Sequence, residues 1–132
     1  MPADLAKTAA DIGIVTADID ASLHFYRDLL GFVPLMVLPV ESGDLHLLIA
    51  GEILVKLADV PGAPAGPKGD IPEATGLRYF TFWVTNLHQL LAELEADGVA
   101  VVRAPFEVLA GTTALLVADP DGNVVEFLEQ QA

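Results

Sequence analysis

Hydrophobic and polar positions follow an order along this chain that occurs twice. In each copy, a short apolar run with β-branched or aromatic residues leads into an Asp or Asn and then into leucines at helical spacing. The first copy begins with residues 11–16 and its helix ends at Gly31, and the second begins with residues 78–84 and its helix ends at Gly98. Glycine suits the left-handed position after a helix. Repeats this short are single supersecondary units that must pack against each other to bury a core.

Three more strands are predicted after each helix, so each copy has the order βαβββ and the fold class is α+β. These strands cover 32–40, 45–49, 53–57, 99–103, 113–118 and 124–128. Between the last two, Pro120 and Gly122 give a strong turn signal. Residues 59–76 contain four prolines and four glycines, so we predict a linker there without a helix or a central strand. Module one then covers about 9–58 and module two about 77–130 of a single domain, 1–132.

Composition narrows the possible functions. The chain has no cysteine, which excludes disulfides, thiolate metal sites and cysteine nucleophiles. Its longest uncharged apolar run, 32–40, is far shorter than the roughly 18 residues of a membrane span, and no secretory signal is visible, so we expect a cytoplasmic protein. The net charge of −13 argues against nucleic acid as a partner. It would steer a cationic ligand favourably, although an acidic balance also simply supports solubility.

Two segments resemble the vicinal oxygen chelate superfamily of glyoxalases, bleomycin-resistance proteins and extradiol dioxygenases. They are 15–32, with the run Asp-Ile-Asp-Ala-Ser-Leu-His-Phe-Tyr-Arg-Asp-Leu-Leu-Gly-Phe at its end, and 119–126, Asp-Pro-Asp-Gly-Asn-Val-Val-Glu. The resemblance extends over residues 11–129. It implies two βαβββ modules in tandem, whose curled mixed sheets enclose a concave cleft, and a homodimer that binds a small molecule. Members include metal-dependent isomerases, lyases, transferases and dioxygenases, and proteins that only sequester a drug.

The resemblance also implies where metal ligands would lie. In the superfamily they come from the opening and closing strands of each module and are typically two His and one or two Glu or Gln. The matching positions here are Asp11, Lys56, Tyr79 and Glu126, and Glu126 alone is of a usual type. A protonated Lys56 has no lone pair to offer and would repel a bound cation. We therefore expect no metal cofactor, with a carboxylate-rich magnesium or manganese site as the alternative if Lys56 points away.

The three histidines do not supply the missing metal ligands. His24 and His88 fall within the predicted helices, on the packed or solvent side, where such residues are usually surface positions. His46 lies in a predicted strand whose register the sequence leaves open. None of the three occupies a position that the resemblance assigns to a metal ligand.

Without a metal, the same positions predict a polar and aromatic ligand site. Tyr79 and Trp83 could stack on a flat or cationic ligand, while Glu126 or Asp11 pairs with a positive group. Large apolar pockets with a few convergent polar groups are the usual form of small-molecule sites. The predicted ligand-binding residues are thus Asp11, Lys56, Tyr79, Trp83 and Glu126.

A purely structural interpretation stands beside this one. In it, Tyr79, Thr81 and Trp83 fill a closed cleft, and Lys56 bridges carboxylates without any function. Paired charges of this kind occur in many proteins that have no site there.

Two functional classes follow. The first is a binding module that holds an aromatic or cationic natural product without changing any bond. The second is a metal-independent isomerase, epimerase or ring-opening enzyme, with Lys56, Glu126 or Asp11 as the candidate catalytic acid or base. Metal-dependent lyase or dioxygenase chemistry comes third. The sequence leaves the ligand's identity, any turnover and the geometry of a dimer open.

Overall fold

The structure is a computed structural model that describes residues 2–66 and 70–131. Its contacts cluster into two compact units, 1–64 and 65–132, each with one four-stranded mixed sheet. This confirms the α+β class and the two tandem βαβββ modules. Within the described ranges, no helix is long and apolar enough to cross a membrane.

The first unit follows the predicted order of elements. Its elements are β1 (Ile12–Thr16), α1 (Ile19–Leu23), a π-helical continuation of α1 (His24–Leu29), β2 (Val33–Val40), β3 (Gly43–Ala50) and β4 (Ile53–Asp59). The spatial order is β1-β4-β3-β2, with β1 parallel to β4 and the other neighbours antiparallel. The sheet therefore places the opening and closing strands of the module side by side.

A buried hydrogen bond attaches α1 to one face of this sheet. Thr16 at the end of β1 and Ser22 in α1 are both fully buried, and their hydroxyl oxygens lie 2.7 Å apart. Asp18 caps the helix, because its side chain accepts a hydrogen bond from the Ala21 amide at 3.1 Å. The Asp that the sequence pattern places between the first apolar run and the helix is thus the N-terminal cap.

The second half of this helix departs from the prediction. From His24 onward the turns are π-helical, and the Leu30 amide donates to the Phe25 carbonyl five residues earlier at 3.0 Å. The wider turn allows the adjacent Phe25 and Tyr26 to be buried together, with their ring centroids 4.8 Å apart. The helix still ends where predicted, at Gly31 with φ +77°.

Gly43 begins β3 in a backbone conformation that only glycine adopts readily. Its φ is +143°, and a Cβ built there would lie 2.2 Å from the Asp59 carbonyl oxygen. Any larger residue would therefore force the start of β3 away from the end of β4.

The second unit repeats the order after a linker. Its elements are a single 3₁₀ turn (Ile71–Glu73), β5 (Tyr79–Trp83), α2 (Leu87–Ala96), β6 (Val101–Leu109), β7 (Thr112–Ala118) and β8 (Val124–Gln130). The strand order is β5-β8-β7-β6, with β5 parallel to β8. The 3₁₀ turn corrects the prediction that the linker holds no helix, because Pro72 is tolerated in a first helical turn.

Strand β6 is longer than predicted. The sequence places its end at Arg103, before an Ala-Pro pair, whereas the strand continues through Pro105 to Leu109. It lies at the edge of the sheet and contains register shifts, both of which accommodate a proline that has no amide hydrogen to donate.

Helix α2 receives its N-terminal cap from a distant strand. Asn86 precedes the helix but forms no side-chain cap, and the Leu87 amide donates instead to Oε1 of Glu129 in β8 at 3.1 Å. Leu87, Leu90 and Leu94 are buried beneath the helix. The predicted helical spacing is thus confirmed, and Glu129 shows which face of the second sheet the helix covers.

The predicted turn before β8 is confirmed. Gly122 has φ +88°, and the nearly buried Asp119 carboxylate accepts hydrogen bonds from the amides of Asp121 and Asn123 and from the Asn123 side chain. The turn therefore fixes where β8 begins, and with it the register of Glu126.

Candidate functional site

Lys56 lies on the face of the first sheet that is turned away from its helix, here called the helix-distal face. Strand register puts it beside Gly13 of β1 and Leu47 of β3. Its neighbours Val55 and Leu57 point to the opposite face and are fully buried. The alternation of a strand therefore separates this lysine from the core of its unit.

Asp11 is held in the first unit by two donors. Its Oδ1 atom accepts hydrogen bonds from the Lys7 ammonium and from the Leu54 amide, the latter at 2.8 Å. The Lys7 hydrogen bond and then that of Leu54 lower the pKa of the Asp11 carboxyl, and the charge of Lys56 contributes further in the same direction. The carboxylate therefore stays ionised and ties the preceding segment to the start of β4.

The structure also fixes the histidines. His46 of β3 pairs with Val37 and Leu57, so it lies on the helix side of the sheet, opposite to Lys56. His24 and His88 are exposed on their helices, as predicted. No histidine thus shares the helix-distal face of the first sheet with Lys56.

In the second unit, Glu126 is oriented by a hydrogen bond from a neighbouring strand. Thr81 of β5 is its register partner, and the Thr81 hydroxyl donates to Oε1 of Glu126 at 2.7 Å. Both side chains are half-buried. They lie on the helix-distal face of the second sheet, because Glu129, an odd number of residues further along β8, binds the helix on the other face.

Tyr79 and Trp83 share this face with Glu126. Along β5 they alternate with Phe80 and Phe82, which point to the helix side. Tyr79 is 49% exposed and Trp83 64% exposed. Neither aromatic ring is part of the buried core of the second unit.

Sequence reasoning missed Arg103. In register it lies opposite Leu116 of β7, which pairs in turn with Glu126, so Arg103, Leu116, Glu126 and Thr81 form one row across the four strands. The Arg103 guanidinium carbon lies 3.5 Å from the centre of the Phe106 ring. A pair three residues apart in a strand does not normally share a face, and only the register shift in β6 allows it here.

The residues at the expected metal-ligand positions do not fit a divalent cation. In the first unit, the Asp11 carboxylate is already bound by an ammonium and Lys56 is itself a cation. In the second, Tyr79 is a phenol and Glu126 is the one ligand of a usual type. Within 2–66 and 70–131, no group of three or more His, Asp or Glu side chains could hold a metal ion.

The fold and these residues were compared with known proteins. A family model described as "Glyoxalase/Bleomycin resistance protein/Dioxygenase superfamily" matches residues 8–127. The chain belongs to this superfamily. The resemblance of its two motifs to the vicinal oxygen chelate proteins is thereby confirmed, and members of this superfamily act on small molecules and often form dimers.

Relatives of this superfamily cover nearly the whole chain. The uncharacterized protein YaeR of Escherichia coli is 30% identical over 94% of this chain and 97% of its own length. A probable lactoylglutathione lyase of Synechocystis is 28% identical over 88% of this chain and 90% of its own length.

A solved structure agrees with the fold. A glyoxalase family protein from Enterococcus faecalis is 25% identical, with a TM-score of 0.78 over 94% of this chain and 98% of its own. These names describe the relatives. The ligand of this chain has to be inferred from its own residues.

Proposed function

We propose that this chain is a small-molecule binding protein whose ligand lies on the helix-distal face of the second sheet. The observation that carries the proposal is the Thr81–Glu126 hydrogen bond, which orients a carboxylate on the same face as two exposed aromatic side chains, Tyr79 and Trp83. Because members of the superfamily act on small molecules, we expect the ligand to be a small organic molecule.

The chemistry of this face favours an aromatic or cationic ligand. The Thr81 hydroxyl donates a hydrogen bond to one oxygen of the Glu126 carboxylate, and no other described residue donates to that group. The second oxygen can therefore accept a hydrogen bond from an ammonium or an amine. The faces of Tyr79 and Trp83 supply stacking and cation–π contacts for a flat or positively charged body.

Lys56 and Asp11 have different parts in this proposal. Asp11 is bound by Lys7 and the Leu54 amide, so its lowered pKa makes it a poor proton acceptor near neutral pH. Lys56 stands on the helix-distal face of its own sheet and remains the candidate acid or base of the alternative function, a metal-independent isomerase, epimerase or ring-opening enzyme. Conversion of a bound compound to product would move the function to that alternative.

Trp83 is the chain's single tryptophan, so its fluorescence reports on this face alone. Benzylamine, which joins a flat ring to an ammonium, is the reference probe. We expect a saturable change in Trp83 emission, and an affinity that is at least about 10-fold weaker in Glu126→Gln, because a charge-assisted hydrogen bond contributes about 1.5–3 kcal/mol.

Glu95→Gln is the matched control, since Glu95 is an exposed glutamate of α2 and its change removes the same charge. Its affinity should equal that of the unaltered protein. Equal affinity for benzylamine in Glu126→Gln and the unaltered protein, or no saturable change with benzylamine, would contradict the proposal.

We also propose a cytoplasmic homodimer, since dimers are common in the superfamily. Sedimentation equilibrium would measure its mass, and a monomer at all concentrations would contradict this part alone.

A further inference from the structure

We infer that the ligand carries an acidic group in addition to its aromatic or basic part, and that Arg103 binds this group. This inference rests on the proposed function, because it extends the same face of the second sheet. It identifies the ligand as amphoteric, with a positive or hydrogen-donating end at Glu126 and a carboxylate or phosphate at Arg103.

The guanidinium of Arg103 is already held in one orientation. Its carbon lies 3.5 Å from the centre of the Phe106 ring, a distance typical of a stacked cation–π contact. One flat side of the group therefore meets the ring, while the N–H donors point outward along its edge. A planar set of donors that is fixed in this way matches the two oxygens of a carboxylate or a phosphate.

Arg103 has no acidic partner among the residues that the structure describes. The chain has 19 acidic and six basic residues, so carboxylates are abundant. Lys7 binds Asp11, Arg27 binds Asp28, and Arg78 donates to two backbone carbonyls. Arg103 thus retains its charge for another molecule.

The row across the sheet gives the distance between the two ends. Glu126 and Arg103 are both paired with Leu116, one from each side, so two strand spacings separate their backbones, about 10 Å. Leu116 and its face neighbour Ala114 lie between them and are buried. An apolar floor with opposite charges at its two ends fits a flat molecule with a base at one end and an acid at the other.

Three probes separate the two ends. 4-(Aminomethyl)benzoate has both charges, benzoate only the acid and benzylamine only the base. Titrations up to about 20 mM, followed by Trp83 fluorescence, would detect dissociation constants in the millimolar range. We expect 4-(aminomethyl)benzoate to bind more tightly than either of the others.

Arg103→Gln should weaken benzoate and 4-(aminomethyl)benzoate about 10-fold or more and leave benzylamine unchanged. Arg103→Lys keeps the charge but loses the planar donors, so it should retain part of the benzoate affinity. Arg27→Gln is the matched control, because it removes one arginine that already has a partner, Asp28. It should change none of the three affinities.

The outcomes distinguish this inference from the proposed function. Benzylamine binding that depends on Glu126, together with benzoate binding that is absent or unaffected by Arg103→Gln, would overturn the acidic-group inference and leave the proposed function standing. Failure of all three probes to change Trp83 emission would overturn both. Equal losses of benzoate affinity in Arg103→Gln and Arg27→Gln would show a general charge effect and also overturn the inference.

Discussion

Glu129→Ala tests the long-range cap that joins α2 to β8. The substitution removes the carboxylate that accepts the Leu87 amide at 3.1 Å, and Asn86 provides no side-chain cap in its place. Loss of a cap costs about 0.5–2 kcal/mol, and a negative charge beside a helix N-terminus is worth about 0.3–1 kcal/mol. Because one carboxylate supplies both effects, we expect the free energy of unfolding to fall by about 1.5 kcal/mol.

Urea unfolding at neutral pH, followed by Trp83 fluorescence and by circular dichroism, measures this loss. With a slope of about 2 kcal/mol per molar urea, the midpoint should fall by roughly 0.7 M. Glu129→Gln keeps an acceptor oxygen but removes the charge, so its loss should be about half as large. Glu93→Ala, at an exposed position in the same helix, is the control and should shift the midpoint little.

The reasoning would be refuted by a Glu129→Ala protein that unfolds at the same urea concentration as the unaltered chain. Equal losses in Glu129→Ala and Glu93→Ala would refute it as well, because they would show that helix composition, and not the cap, sets the stability.

Three further predictions concern the first unit. Thr16→Val removes a buried hydroxyl that forms a hydrogen bond with Ser22 at 2.7 Å, and it should lower the free energy of unfolding in urea by about 1–2 kcal/mol. The double variant with Ser22→Ala should lose less than the sum of the two single losses, and a loss equal to that sum would exclude coupling between the two side chains. Because the folded-state pKa of Asp11 is lowered from 3.8, its stabilisation is complete above that pH and is lost as the pH falls through the folded value. The difference in melting temperature between the unaltered chain and Asp11→Asn should therefore close in acid, and a difference that widens there would be contrary evidence. Gly43→Ala should lower the free energy of unfolding by about 3 kcal/mol or more. Gly13→Ala, where an added Cβ meets nothing within 4 Å, should leave the melting temperature nearly unchanged, and similar losses in the two variants would refute the steric account.

The sequence predicts well those features that depend on neighbours along the chain. Asp18 and Gly31 mark the start and end of the first helix because capping and left-handed turns are local requirements. The same holds for the Asp119–Asn123 turn, which fixes the register of Glu126. The order of these local signals along the chain is sufficient to predict the two βαβββ modules and the superfamily.

Features that depend on pairing between strands were beyond the sequence. The cap from Glu129 joins residues far apart in the chain, and the face of His46 follows from a register that no residue in β3 states alone. Arg103 joins the candidate site only because β6 shifts its register before Phe106. Spacing along one strand would have placed the two side chains on opposite faces.

The edge strand β2 has a consequence for self-association. All eight of its residues are exposed, and none of them is charged. An exposed apolar edge normally invites another chain to add a strand and so begins aggregation. Pro34 and Pro39 have no amide hydrogen, so β2 offers no hydrogen-bond donor at these two positions to the carbonyl groups of an incoming strand. These two prolines act as gatekeepers against edge-to-edge growth at β2, so a homodimer that used this strand would form through its exposed side chains and not by adding a strand to the sheet.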